Sequence, residues 1–433
     1  MQGIYLSASV LRSLAVLAIF VAMSLPAGAQ NDADKAIRAD YDATMKILES
    51  ISADANDEEK RAKMSEFQQA VRAFVDKHKA KSAELTVGHY DLARAYIHIA
   101  DPEAVVAEIG AFMKACPGHA DTEDALMLLG DSYRAANKTT EALALYQAFI
   151  KDYPKSDKIP FARLGLATAL LFNLDFDGAI NEFTGLRAAF PEHQVNGDAA
   201  LQLVEAYVDS GRAEEAKAMV KALLEQQKDA PELQRLDRVL HRYGTKAPDL
   251  VGIEKWVGAQ GANVSRLQGR VVVLCFFTNW SLHCTRELVL LSELEQQFGA
   301  QGLTVWGVTK AYKQKKEGQA SGLTLDEEAA WLGRYRDNPR FVLQKELGVS
   351  TKDAEKKDLP EAAEWKEYER PISVSFALGT NFDNHKAYDV RGVPYLIVID
   401  KKGVIRYIRE GGSVRGGFPN RVLSKIVQRL LAE

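Results

Sequence analysis

The sequence predicts two domains of different class, an all-α solenoid of repeated helix pairs followed by an α/β fold with a long charged insertion. Three observations predict this. A chain of 433 residues is too long for one ordinary core. Pro117, Pro154 and Pro191 recur every 37 residues within helical sequence. Val271 to Phe277 is an unbroken run of β-branched, aliphatic and aromatic residues, the pattern of a strand buried on both faces. The hydrophobic content of 47% and charged content of 26% are those of a globular chain. A net charge of -4, with no basic stripe interleaved with aromatics, argues against a nucleic-acid partner.

Residues 1–29 have the pattern of a secretory signal. Arg12 supplies the positive charge, Leu14 to Leu25 an apolar run too short for an ordinary membrane span, and Ala27-Gly28-Ala29 a small-residue cleavage site before Gln30. The alternative is an uncleaved anchor, the one way this reading leaves a stable membrane span. No cysteine is placed for lipid attachment. The expectation is therefore a periplasmic or secreted protein in an oxidising compartment. The three cysteines, Cys116, Cys275 and Cys284, are no disulfide scaffold.

Residues 30–243 are expected to be helical. Ile37, Tyr41, Met45 and Leu48 mark a first helix, and Phe67, Val71 and Phe74 a second, with a loop from Ser52 to Asp57. Twelve residues before each repeat proline stand Val105, Ala142 and Ala179, and Ala216 continues the series. Twelve further back are Ala93, Gly130, Ala167 and Val204, followed three residues later by Tyr96, Tyr133, Leu170 and Tyr207. Small residues where helices cross, a nearby aromatic and a helix-ending proline resemble the tetratricopeptide repeat, whose usual period is ~34 residues. The resemblance implies a stack that binds a protein or peptide partner; a purely structural stack is the alternative. Cys116, aligned with Tyr153 and Phe190, is expected to be a packed hydrophobe. Cys116 and His119 are too few ligands for a metal site.

Residues 246–433 are expected to form the second domain. Lys246-Ala247-Pro248-Asp249-Leu250, the lead Leu267-Gln268-Gly269-Arg270, and Gly392-Val393-Pro394 before the strand Tyr395 to Asp400 are similar to the TlpA-like branch of the thioredoxin superfamily. In that branch Trp-Cys-x-x-Cys follows the first core strand; here the residues are Trp280-Ser281-Leu282-His283-Cys284. The resemblance implies a cis peptide at Pro394 and substrate contacts from Trp280, Val393 and Pro394. It also implies redox roles for Cys284 and its neighbour His283, with Ser281 at the position of the missing nucleophile. No cofactor and no metal are implied. An insertion at about residues 310–370, with a helical run near Glu327 to Tyr335, is either a solvated excursion or a lid or docking arm over the thiol.

A dithiol site needs an attacking thiolate at a helix N-terminus and a second thiol that resolves the mixed disulfide. Serine cannot attack in this way, but it is a favoured N-cap. A Cys275–Cys284 bond would require the turn to fold back on the strand, since disulfide Cα atoms lie within roughly 7 Å. Three readings follow: a thiol–disulfide family member with single-thiol chemistry at Cys284, a redox-inactive module whose groove and repeats hold a partner, and a one-cysteine peroxidase. The last fits Ser281-Leu282-His283-Cys284 but has Phe277 where peroxiredoxins carry proline.

Overall fold

A computed structural model describes residues 31–52, 56–312, 323–342, 370–411 and 418–433. The signal sequence expected at 1–29 and most of the insertion lie outside the described residues. The chain divides into two compact units, Met1–Leu203 and Val204–Glu433.

The first unit is helical. Helices α1 (Asp32–Glu49) and α2 (Asp57–Lys79) each begin at an asparagine cap, Asn31 and Asn56, whose side chain and a carboxylate three residues on satisfy each other's backbone amides. Six antiparallel helices follow: α3 (Gly88–His98), α4 (Pro102–Ala115), α5 (Thr122–Ala135), α6 (Thr139–Asp152), α7 (Ile159–Phe172) and α8 (Phe176–Ala189). The small residues of the repeat sit where helices cross: Ala93, Val105, Ala142, Ala167 and Ala179 are all at most 1% exposed. Gly130 has a specific reason to lack a side chain. A Cβ there would lie 2.6 Å from the Tyr146 ring, and one on Gly165 only 2.3 Å from it.

The repeat extends to features that the sequence did not disclose. Ala100, Asn137, Leu174 and Gly211 are 37 residues apart and all take left-handed backbone, with φ of 57°, 58°, 61° and 86°. After each, the next amide donates to the carbonyl of Tyr96, Tyr133, Leu170 or Tyr207, at 3.1, 2.8, 3.0 and 2.8 Å. These are Schellman-type helix ends, so the recurring aromatic position is also the helix terminus. Beyond the prolines, His119 Nδ1, Ser156 Oγ and His193 Nδ1 each accept from the amide two residues on. His119 also packs edge-on against Phe112. It is a turn cap in a repeating slot.

The second unit holds the end of α9 (Val195–Ser210), then α10 (Ala213–Gln226), α11 (Pro231–Leu240) and a six-stranded sheet. Its strands are β1 (Ile253–Val257), β2 (Val271–Phe276), β3 (Leu303–Lys310), β4 (Ser375–Gly379), β5 (Tyr395–Ile399) and β6 (Ile405–Glu410), in the order β1-β4-β3-β2-β5-β6. β2, β3 and β4 are parallel; the other pairings are antiparallel. All six residues of β2 are buried, as its apolar run requires. Among the further helices of this unit are α12 (Leu282–Phe298), α13 (Leu325–Asp337), α14 (Asp383–Ala387) and α15 (Phe418–Ala432). Leu274 and Phe276 share a core with Ala216 and Val220 of α10, Val239 and Leu240 of α11, and Tyr388. Residues that the 37-residue period assigns to the helical stack thus pack with the sheet.

Gly307 stands within β3 because the rings of Phe277 and Phe376 fill the space a side chain would need. Tyr243 lies along the outer margin of β6. Its hydroxyl accepts from the Ile408 amide at 2.7 Å and donates to the Ile408 carbonyl at 3.1 Å. Gly244, Thr245 and Ala247 continue this pairing against Ile405 and Gly403.

Part of the insertion departs from the solvated reading. In α13, Trp331, Leu332 and Tyr335 are at most 4% exposed, and the Tyr335 and Thr285 hydroxyls meet at 2.7 Å. Asp326, Glu327, Arg334 and Asp337 are exposed, whereas Glu328 is buried on the same side as Trp331, Leu332 and Tyr335.

Candidate functional site

The turn after β2 delivers Ser281 to the N-terminus of α12. Ser281 has extended backbone and its Oγ accepts from the Cys284 amide at 3.3 Å. The carboxylate-free first turn leaves this hydroxyl as the cap. Ser281 is therefore doing what a serine does best at that position, satisfying an amide that the helix cannot.

Cys284 lies one turn in and is completely buried. Burial pushes its thiol pKa above the ordinary value. Hydrogen bonds from the Ser281 hydroxyl and from the Thr278 amide and hydroxyl pull the other way, and the Glu287 carboxylate adds to the rise. His283 is exposed and is not among the groups acting most strongly on this sulfur. Cys275 is buried and held protonated still more strongly, by burial first and then by Glu287 and Cys284. Both thiols are free.

Behind the thiols is a charge pair. Glu287 is wholly buried, on the turn of α12 after Cys284, and accepts from the Arg409 guanidinium of β6. A buried carboxylate needs such a partner. Glu287 sits three residues after Cys284, a spacing that puts both on one helix face. Arg409 carries no local sequence signal, and neither does Thr278, whose two hydrogen bonds depend on the turn geometry.

The other expected site residues converge on the same edge of the sheet. Trp280 is 38% exposed, and its ring meets the Tyr312 ring edge-on at 4.4 Å. Phe276 pairs with Tyr395, so the preceding Val393–Pro394 peptide, which is cis, lies at the end of the sheet from which the 277–281 turn leaves. Val393 is half-buried and Pro394 buried. Among the described residues, no three His, Cys, Asp or Glu side chains are grouped to hold a metal ion.

Comparison with known proteins agrees with this architecture. The tetratricopeptide repeat families match residues 124–156 and 173–238, and the AhpC/TSA family matches residues 243–326. No curated protein matches the chain. Among solved structures, a thioredoxin-like superfamily protein is 21% identical over 43% of this chain and 97% of its own, with a TM-score of 0.30. A thiol-disulfide isomerase from Corynebacterium glutamicum is 19% identical over 43% and 97%, with a TM-score of 0.28. A structure of TPR-like repeats from Podosopora anserina is 15% identical over 46% and 100%, with a TM-score of 0.36. The chain thus carries tetratricopeptide repeats ahead of a redoxin domain with a mixed thioredoxin-like sheet.

Proposed function

We propose that this protein is an exported partner-binding member of the thioredoxin-like group that does not carry out dithiol exchange. The repeats and the edge of the sheet around Trp280, Val393 and Pro394 hold a protein or peptide. The observation that carries the reading is the environment of Cys284. A thiol that reacts must be accessible and ionised; this one is buried and pushed toward its protonated form. Ser281, at the place of an attacking sulfur, is occupied as a helix cap. The export part of the reading rests on residues 1–29. No helix among the described residues is long and apolar enough to cross a membrane.

Thiol labelling tests the reading. In the native protein at neutral pH, Cys284 should react with a maleimide no faster than buried Cys275. A raised pKa leaves less thiolate at pH 7 than a free cysteine has, so labelling should accelerate only at more alkaline pH or on unfolding. Rapid native labelling of Cys284 would restore the single-thiol reading, and peroxide consumption abolished by Cys284→Ser would establish the peroxidase.

A further inference from the structure

At the carboxyl end of β3 lies a positive charge without a carboxylate partner among the described residues. Lys310 closes β3 and is half-buried. Its ammonium stands 4.5 Å from the centre of the Tyr312 ring and 4.2 Å from that of Phe382. Among the described residues it has no carboxylate partner. The nearby Glu328 carboxylate is instead engaged by the Tyr312 amide at 2.7 Å. Two aromatic faces stabilise an ammonium only in part, and a desolvated charge is best met by an opposite one.

His385 borders the same corner without offsetting the charge. Only 7% exposed, it lies edge-on to Phe276 and Phe382, each at 5.2 Å, and neither ring nitrogen has a hydrogen-bond partner among the described residues. Burial first, then the Lys310 charge, press its pKa down to about 4. It is therefore neutral at pH 7 and adds no second positive charge beside Lys310.

The position is one where α/β sheets hold ligands, beyond the carboxyl ends of parallel strands. β2, β3 and β4 end here, giving Trp280, Lys310 with Tyr312, and Phe382 in turn. Trp280 and Phe382, 38% and 47% exposed, are two of the four exposed large apolar side chains among the described residues. Open aromatic surface on either side of a recessed cation suits an extended ligand with apolar parts flanking an anion. A small free anion would leave both rings bare.

Resting on the partner-binding reading above, we infer that this corner selects an acidic side chain of a bound peptide. A glutamate or aspartate carboxylate meets the Lys310 ammonium, and the residues flanking it lie across Trp280 and Phe382. The test is a positional-scanning library of synthetic peptides, amidated at the C-terminus, applied to the full chain. The wild type should favour Glu or Asp over Gln or Asn at one position by about fivefold, the size expected of a partly exposed ion pair. Lys310→Gln should abolish that preference and Lys310→Glu should invert it toward Lys or Arg, a gain that a misfolded variant cannot produce. Trp280→Ala should weaken all peptides alike. An absent acidic preference, one that survives Lys310→Gln, no library binding, or equally effective competition by free acetate would each overturn the inference. None of these results bears on the reactivity of Cys284, which decides the parent reading separately.

Discussion

In the helical stack, Gly130 and Gly165 make room for one ring, Tyr146, and left-handed residues recur at Ala100, Asn137, Leu174 and Gly211. In the sheet domain, the groups gathered around Cys284 come from Thr278, Ser281, Glu287 and, through Glu287, Arg409. The stack solves one packing problem repeatedly with neighbours in sequence, so each residue is interpretable from its place in the period. The site solves a single problem once, joining one local turn and helix start to Arg409 of the distant strand β6. The comparison separates positions that repeat one shape from positions that build a single environment around a thiol.

The sharpest break in the comparison is Ser281→Cys. It restores a thiol at the helix cap with Cys284 one turn behind. If only the nucleophile is missing, the variant should reduce insulin disulfides where the parent shows no turnover above background. Continued inactivity would mean that the surroundings of Cys284 have also diverged. Next in size is Glu287→Ala, which strands Arg409 in the interior. Loss of one partner of a buried pair costs about 3–5 kcal/mol, and urea denaturation should show it in the transition of the sheet domain. In the stack, Gly165→Ala drives a methyl group into Tyr146 and should cost about 1–3 kcal/mol, read in the same way. The smallest effect has the opposite sign. Ala100→Gly relieves a left-handed alanine and should raise stability by about 0.5–1 kcal/mol, visible as a higher Tm.

The fold was legible to the extent that its signals are local. The even prolines and the buried run at β2 predicted the two classes of structure, while the cis bond at Pro394 was expected only from the family resemblance of Gly392-Val393-Pro394. The division of the chain was less visible, because the 37-residue pattern continues through Val204 and Ala216 while their packing has passed to the sheet. Ala100 and Leu174 gave no warning of left-handed backbone, since neither residue type favours it. At the site, Ser281 was readable as a cap from its position alone. The burial of Cys284 and its coupling to Arg409 depend on strand order, which no local pattern encodes. The insertion misled through composition: its charges hid Trp331, Leu332 and Tyr335, three apolar anchors at helical spacing.

Tyr243 has a consequence for self-association. A terminal strand with bare amides and carbonyls is a template onto which foreign polypeptide can zip, the usual first step toward fibrils or swapped dimers. At β6 that template is already taken. One phenol occupies both outward groups of Ile408, and the following residues occupy those of Ile405 and Gly403. At these positions of β6, recruitment of a stray chain would first have to displace the protein's own backbone and the Tyr243 phenol.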